Sequence, residues 1–185
     1  MKKKLRNFGK FHSQLELPFS ETDYELLKDI FNTLEFKFGL KRDSNQKFID
    51  LGAGNGSVVI FTAINYCINA FGIEIDHHLV KEAKNRIKSL KNKGNYEKRL
   101  INKMRIKQGD FFTYNLEKYD YIFIYSFPSI HKYLKHVFRT VRKGAIIISH
   151  KYKLENFSTF LKEENILIHK RQNAELFTFF YKRIS

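Results

Sequence analysis

Residues 48–56 read Phe-Ile-Asp-Leu-Gly-Ala-Gly-Asn-Gly, an apolar run that passes through an acidic residue into three glycines at alternate positions. Gly52, Gly54 and Gly56 remove side chains where a strand must turn sharply into a helix, so a bulky nucleoside can lie directly on the backbone. A dinucleotide fingerprint wants its third glycine at position 57, where this chain has Ser57. The Gly-Lys-Ser/Thr ending of a phosphate-gripping loop is missing too. A glycine turn preceded by Asp50 suits a ligand with a cationic amino acid end and no phosphates to cradle.

At 185 residues the chain fits one domain with room for a substantial core. We expect residues 1–19 to form a flexible basic arm or lid and residues 20–185 a single domain. An apolar content of 43% and an aromatic content of 16% exclude a disordered polymer. The lone Cys67 offers neither a disulfide framework nor a cysteine-based metal site, and no metal ligand set is expected. With no leader pattern and no long apolar run, the expectation is an intracellular, cytoplasmic protein without a membrane span, and a monomer. The charge balance is strongly basic, 34 Lys and Arg against 19 Asp and Glu, a net +15. Such a field favours RNA, DNA or an acidic protein face. A Lys- and Asn-rich bias that merely coats the surface gives the same number, although residues 2–10 and 81–107 are denser in basic groups.

The apolar spacing predicts alternating strands and helices. From Ser20 the pattern is helical through Phe38, capped by Ser20 or Thr22 and ended by Gly39. Residues 47–51 read as a buried strand, 57–67 as a helix, and 69–75 as a second strand. Asp76 caps a helix to about Leu90, with Leu79, Val80, Ala83 and Ile87 inward. Residues 91–103 read as a basic loop, 104–107 as a third strand and 119–125 as a fourth. Pro128 opens a helix over 129–141. A fifth strand spans 145–149, a helix 156–164, and two last strands 166–169 and 176–181, joined as a hairpin. Together these give a Rossmann-like, doubly wound α/β fold, a mostly parallel seven-stranded sheet with an antiparallel final strand. Only about a dozen residues separate strands three and four, too few for a full crossover helix.

In an open parallel sheet, ligands collect at the carboxyl ends of the strands. The informative polar residues fall at such ends. Asp50 and the glycine turn follow strand one. Glu74, 18 residues beyond Gly56, closes strand two and can accept both hydroxyls of a ribose. Asp110 follows strand three, where it can accept from an adenine amino group while Phe111 packs on the ring. Tyr125-Ser126-Phe127-Pro128 follows strand four. Taken singly, Glu74 is an ordinary strand end, Asp110 a cap and Phe111 a core residue. In series they describe a pocket for S-adenosyl-L-methionine.

That ordered series resembles the class I S-adenosylmethionine-dependent methyltransferases over residues 18–184. Within the class the chain is similar to the small archaeal protein-lysine methyltransferases and their mitochondrial relatives. The motifs that carry this are Pro18-Phe19-Ser20-Glu21-Thr22, Ile75-Asp76 after Glu74, Gly109-Asp110-Phe111-Phe112, and Ile148-Ser149-His150-Lys151-Tyr152. The resemblance implies that Asp50, Gly52, Ala53, Gly54, Asn55 and Gly56 hold the methionine end of the cofactor. It implies Glu74 and Ile75 at the ribose, Asp110 and Phe111 at adenine, and Phe19, Ser20 and Thr22 as a lid. Tyr125, Ser126 and Phe127 would line the methyl-transfer channel. Ser126-Phe127-Pro128-Ser129 departs from the Asn/Asp-Pro-Pro-aromatic motif of enzymes that methylate planar amino groups, which weighs against such substrates.

A lysine acceptor must lose its proton first, and its reference pKa of about 10.4 makes that costly near neutrality. Burial among Tyr125, Phe127 and Phe111 beside a positive sulfonium would lower it. His150 is the titratable candidate nearest that channel; its plain reading is a histidine hydrogen-bonded to hold Ser149. Three functions stay open on sequence: a protein-lysine methyltransferase, an RNA methyltransferase using the basic stretch, and a non-catalytic nucleic-acid-binding module.

Overall fold

The computed structural model describes residues 22–94, 96–171 and 174–185. The arm over residues 1–19, with Phe19 and Ser20, lies outside the described residues. Seven strands form one sheet in the order β3-β2-β1-β4-β5-β7-β6. They are β1 Lys47–Leu51, β2 Asn69–Glu74, β3 Met104–Gln108, β4 Tyr121–Ile124, β5 Ile146–His150, β6 Leu161–Arg171 and β7 Ala174–Arg183. Strands β1 to β5 pair in parallel, and β7 inserts antiparallel between β5 and β6. The chain order reverses between β1 and β4, so the switch point lies beside the glycine turn.

Helix α1, Tyr24–Phe38, buries Leu26, Leu27, Ile30, Phe31 and Leu34 against one sheet face. Its cap is Asp23 and not Thr22. Asp23 accepts from the amides of Glu25 and Leu26 at 2.9 and 3.4 Å, and the helix begins one residue later. Gly39 ends it at φ 71°, as expected. Helix α2, Ser57–Tyr66, starts from Gly56, and α3, His77–Lys93, starts from Asp76, which accepts from the amides of His78 and Leu79. The basic stretch after Leu90 is not all loop. Helix α3 continues to Lys93, and α4, Lys98–Ile101, follows because Ile101 docks into the small core that holds Ala63 and Met104.

Two predicted helices do not form as written. Over 129–141 the apolar spacing is kept, but the chain makes only α5, Pro128–His131, and α6, Lys135–Phe138. The amides of Tyr133 and Leu134 bond three residues back rather than four, a tighter winding that interrupts the helix. Over 156–164 the spacing of Phe157, Phe160 and Leu161 imitates a helical face. It is one turn closed by bonds to the Phe157 carbonyl, after which pairing with β7 carries Leu161 onward into β6. Long-range pairing has overridden local periodicity there. The last two strands are correspondingly longer than expected. The fourth is shorter: Tyr119 lies outside it, buried in the core, and Tyr125 is one residue past its end. The link from β3 to β4 contains only a 3-10 turn, Phe111–Thr113, as its length required.

Candidate active site

The glycine turn is built from backbone that only glycine adopts easily: φ is 85° at Gly52, 50° at Gly54 and 80° at Gly56. The amides of Gly52 and Ala53 both donate to the Ile73 carbonyl at 2.9 Å, pinning the turn to β2. Glu74 completes the connection. Its Oε2 accepts from the Gly54 amide at 2.9 Å, and its Oε1 accepts from the amides of Ile75 and Asp76 at 2.7 and 2.9 Å. The Gly109 amide donates to the Glu74 carbonyl at 2.9 Å, so the end of β3 joins the same corner. Asn55 is buried and accepts from the Ser57 hydroxyl and amide, while Arg86 bridges the Ser57 hydroxyl and the Asn55 carbonyl.

Asp50 is buried inside β1, in register with Gly72 and Phe123. Loss of water and the nearby Glu74 carboxylate push its carboxyl up to about 8. Among the described residues neither Asp50 nor Glu74 takes part in an ion pair. Two nearby buried carboxyls with no ion-pair partner among the described residues make a site that gains from a positively charged ligand. These carboxyls therefore fit the positively charged ammonium and sulfonium of S-adenosylmethionine.

Asp110 is half-exposed, and its Oδ1 accepts from the Phe112 amide at 2.8 Å as cap of the 3-10 turn. Phe111 is buried against Phe112, and a Cβ built on Gly52 would stand 3.9 Å from its ring. Ile75 and Thr22 are half-buried, Ile75 directly beyond Glu74 and Thr22 two residues before α1.

At the ends of β4 and β5 the aromatic residues gather. Tyr125 stands edge-on to the His150 ring with centroids 5.0 Å apart and lies 6.4 Å from Tyr152; Phe127 is 5.6 Å from Tyr152. Lys151, in the left-handed region at φ 68°, donates to the Tyr125 hydroxyl at 3.3 Å, and its ammonium lies 5.8 and 5.7 Å from the Tyr125 and Tyr152 ring centres. The bond to Tyr125 holds the Lys151 ammonium above its usual range. Among the described residues the buried hydroxyl of Ser126 has no partner, while its carbonyl is bonded to the buried His131 ring at 3.0 Å. His150 is buried and hydrogen-bonded to Thr178 on β7 at 3.0 Å. It does not hold Ser149, whose hydroxyl donates to the Tyr152 carbonyl at 2.6 Å.

Two contributors escaped the sequence reading. Gly72 lies mid-strand, where a Cβ would come within 2.6 Å of Ala53 Cβ and 2.7 Å of Ile106 Cδ1. A glycine inside a strand is the usual sign of such an approach. Tyr152 is the other. It ends the motif over residues 148–152, but no site role was read from it.

The strand order, the antiparallel β7 and the glycine corner define a class I S-adenosylmethionine-dependent methyltransferase. The chain belongs to the ANTKMT methyltransferase domain family, whose model matches residues 50–160. No curated protein matches it by sequence. Among solved structures it is similar to an RNA methyltransferase from Salinibacter ruber in complex with S-adenosyl-L-homocysteine, at 19% identity and TM-score 0.71, over 90% of this chain and 95% of that one. It is similar also to magnesium protoporphyrin IX methyltransferase from Synechocystis PCC 6803 with bound cofactor, at 13% identity and TM-score 0.65, over 95% of this chain and 91% of that one. TrmN from Thermus thermophilus follows at 8% identity and TM-score 0.64, over 86% of this chain and 48% of that one. At these identities the likeness concerns the fold. Among the described residues no helix is long and apolar enough to cross a membrane.

Proposed function

We propose that the chain transfers methyl groups from S-adenosylmethionine to lysine side chains of proteins. The observation that carries this reading is the Tyr125–Phe127–Tyr152 wall with the Lys151 ammonium already lying over two of its rings. Aromatic faces attract ammonium groups through their negative quadrupole. The family match supports the same acceptor.

When bound, the cofactor supplies an electrophilic methyl on a positively charged sulfur. Asp50 and the glycine turn take its amino acid end, Glu74 and Ile75 its ribose, and Asp110 with Phe111 its adenine, with Thr22, Phe19 and Ser20 as the lid. Tyr125, Ser126 and Phe127 line the channel and align the acceptor nitrogen with the methyl, which is the main contribution such a site makes. Burial of the acceptor against these walls beside the positive sulfonium would lower its pKa, so that a neutral amine is reached nearer neutrality. His150 is engaged with Thr178 and is not the base in this reading; the proton leaves to water. The domain is the single body of residues 20–185, working as a monomer with the preceding residues as an arm.

An RNA acceptor is the second reading. Arg105 and Lys118 lie 5.6 and 5.4 Å from the Phe71 ring centre, and Lys107 lies 5.6 Å from that of Tyr114, a basic and aromatic face beside β3. One experiment separates the two. A cell lysate, with and without RNase, is incubated with labelled cofactor and the protein, and the products are mapped by mass spectrometry. Label on protein lysines that survives RNase supports the proposal; label confined to RNA overturns it.

A further inference from the structure

Next to the aromatic wall lies a concavity. A cavity of about 300 Å³ separates α5 from residues 153–157 and is lined by Lys132, Lys135, Lys153, Glu155 and Phe157, together with Pro128 and His131. Its chain neighbours fix its position. Pro128 directly follows Phe127 and Lys153 directly follows Tyr152, and those two rings are 5.6 Å apart. An extended peptide advances about 3.5 Å per residue, so a side chain one to three positions from a lysine held at the wall reaches this cavity.

The charges in it are specific. Lys153 pairs with Glu163 at 3.0 Å, whereas Lys132 and Lys135 have no carboxylate in ion-pair range among the described residues. Glu155 lines the same cavity without an ion pair to either. Burial holds His131 below its usual range, and its ring bonds the Ser126 carbonyl, so it adds no charge near neutrality. Three ammonium groups against two carboxylates leave a surplus of one. That suits a single side-chain carboxylate, not a strand of phosphates.

We infer that this cavity is a subsite for an Asp or Glu side chain flanking the acceptor lysine, and that it makes the enzyme select lysines in acidic local sequence. The inference rests on the lysine-methylation reading.

The test uses full-length protein, S-adenosylmethionine and peptides with one lysine flanked within three positions by Glu, Gln or Lys. The Glu peptide is expected to show a KM about threefold to tenfold lower than the Gln peptide, in keeping with one or two partly exposed charge pairs. That advantage shrinks at high salt. The double variant Lys132→Glu, Lys135→Glu, with circular dichroism and cofactor affinity unchanged, is expected to prefer the Lys peptide. Equal KM for all peptides overturns the subsite and leaves lysine methylation standing. A Glu preference that survives in the double variant overturns this cavity as its origin. No label on any peptide lysine overturns both readings. A single-stranded RNA oligomer that binds wild type but not the double variant overturns the carboxylate assignment.

Discussion

The backbone amide of Gly54 donates to Oε2 of Glu74 at 2.9 Å, tying the glycine turn after β1 to the last residue of β2. The turn and the carboxylate are thus one structural unit. Glu74 shapes the loop through three amides, and in the proposed reading it also meets the ribose.

Glu74→Gln should therefore bind cofactor weakly and also melt somewhat lower, because its NH2 group replaces one of the two oxygens that accept from backbone amides. Loss of a charge-assisted hydrogen bond costs about 1.5–3 kcal/mol, or roughly ten- to a hundredfold in affinity. Calorimetric titration with S-adenosylmethionine checks this. Glu74→Ala should also lower the melting temperature, because the amides of Gly54, Ile75 and Asp76 lose their acceptor. Wild-type affinity in Glu74→Gln would remove the carboxylate from the ribose site.

Asp50 makes stability depend on pH. Its carboxyl is raised to about 8 in the folded protein, against about 3.9 in an unfolded chain. Between those values the folded state holds a proton that the unfolded state has released. The stabilisation is full below the unfolded value and is lost as pH rises through the folded one. The free protein should accordingly melt at lower temperature at pH 8.5 than at pH 5.5, and Asp50→Asn should flatten that slope. Cofactor carries positive charge to this carboxyl, so binding at pH 7 should release a proton. Titrations in buffers of different ionisation enthalpy measure it; a binding heat independent of buffer would contradict the assignment.

Gly72→Ala tests the close approach under the turn. The new Cβ would meet Ala53 Cβ at 2.6 Å and Ile106 Cδ1 at 2.7 Å, so β2 or the turn must shift. Overpacking of this kind costs about 1–3 kcal/mol. We expect a lower denaturation midpoint and weaker cofactor binding, because Ala53 belongs to the turn. Unchanged values for both would mean that the turn is not held by this contact.

The glycine corner and the strand ends were legible because short-range chemistry writes them. Positive φ needs glycine, strand ends recur at predictable spacing, and carboxylates stand where strands finish. The β6 strand was partly misread because Phe157, Phe160 and Leu161 satisfy helical spacing locally, while pairing with β7, far along the chain, decides the outcome. The break between α5 and α6 was hidden for a related reason: both windings keep the same residues inward. Asp23 was passed over as a cap because its neighbours Ser20 and Thr22 are equally good by composition. The gathering of Tyr125, Phe127 and Tyr152 depends on how two loops from different strands converge, and no local pattern records that.

Lys151 gives a test of the aromatic wall that does not damage it. Its ammonium lies over Tyr125 and Tyr152, where an incoming lysine would place its own, so the two compete. A cation over an exposed ring is worth about 0.5–1 kcal/mol, which sets the effect at roughly two- to fivefold. Lys151→Met should lower the acceptor KM by that factor and leave kcat and cofactor affinity unchanged. Tyr125→Phe keeps the ring and should retain most activity, whereas Tyr125→Ala should raise KM and reduce kcat together. If Lys151→Met instead raises KM, the residue supports the wall by holding the Tyr125 hydroxyl, and the ammonium is a positioning group rather than a competitor.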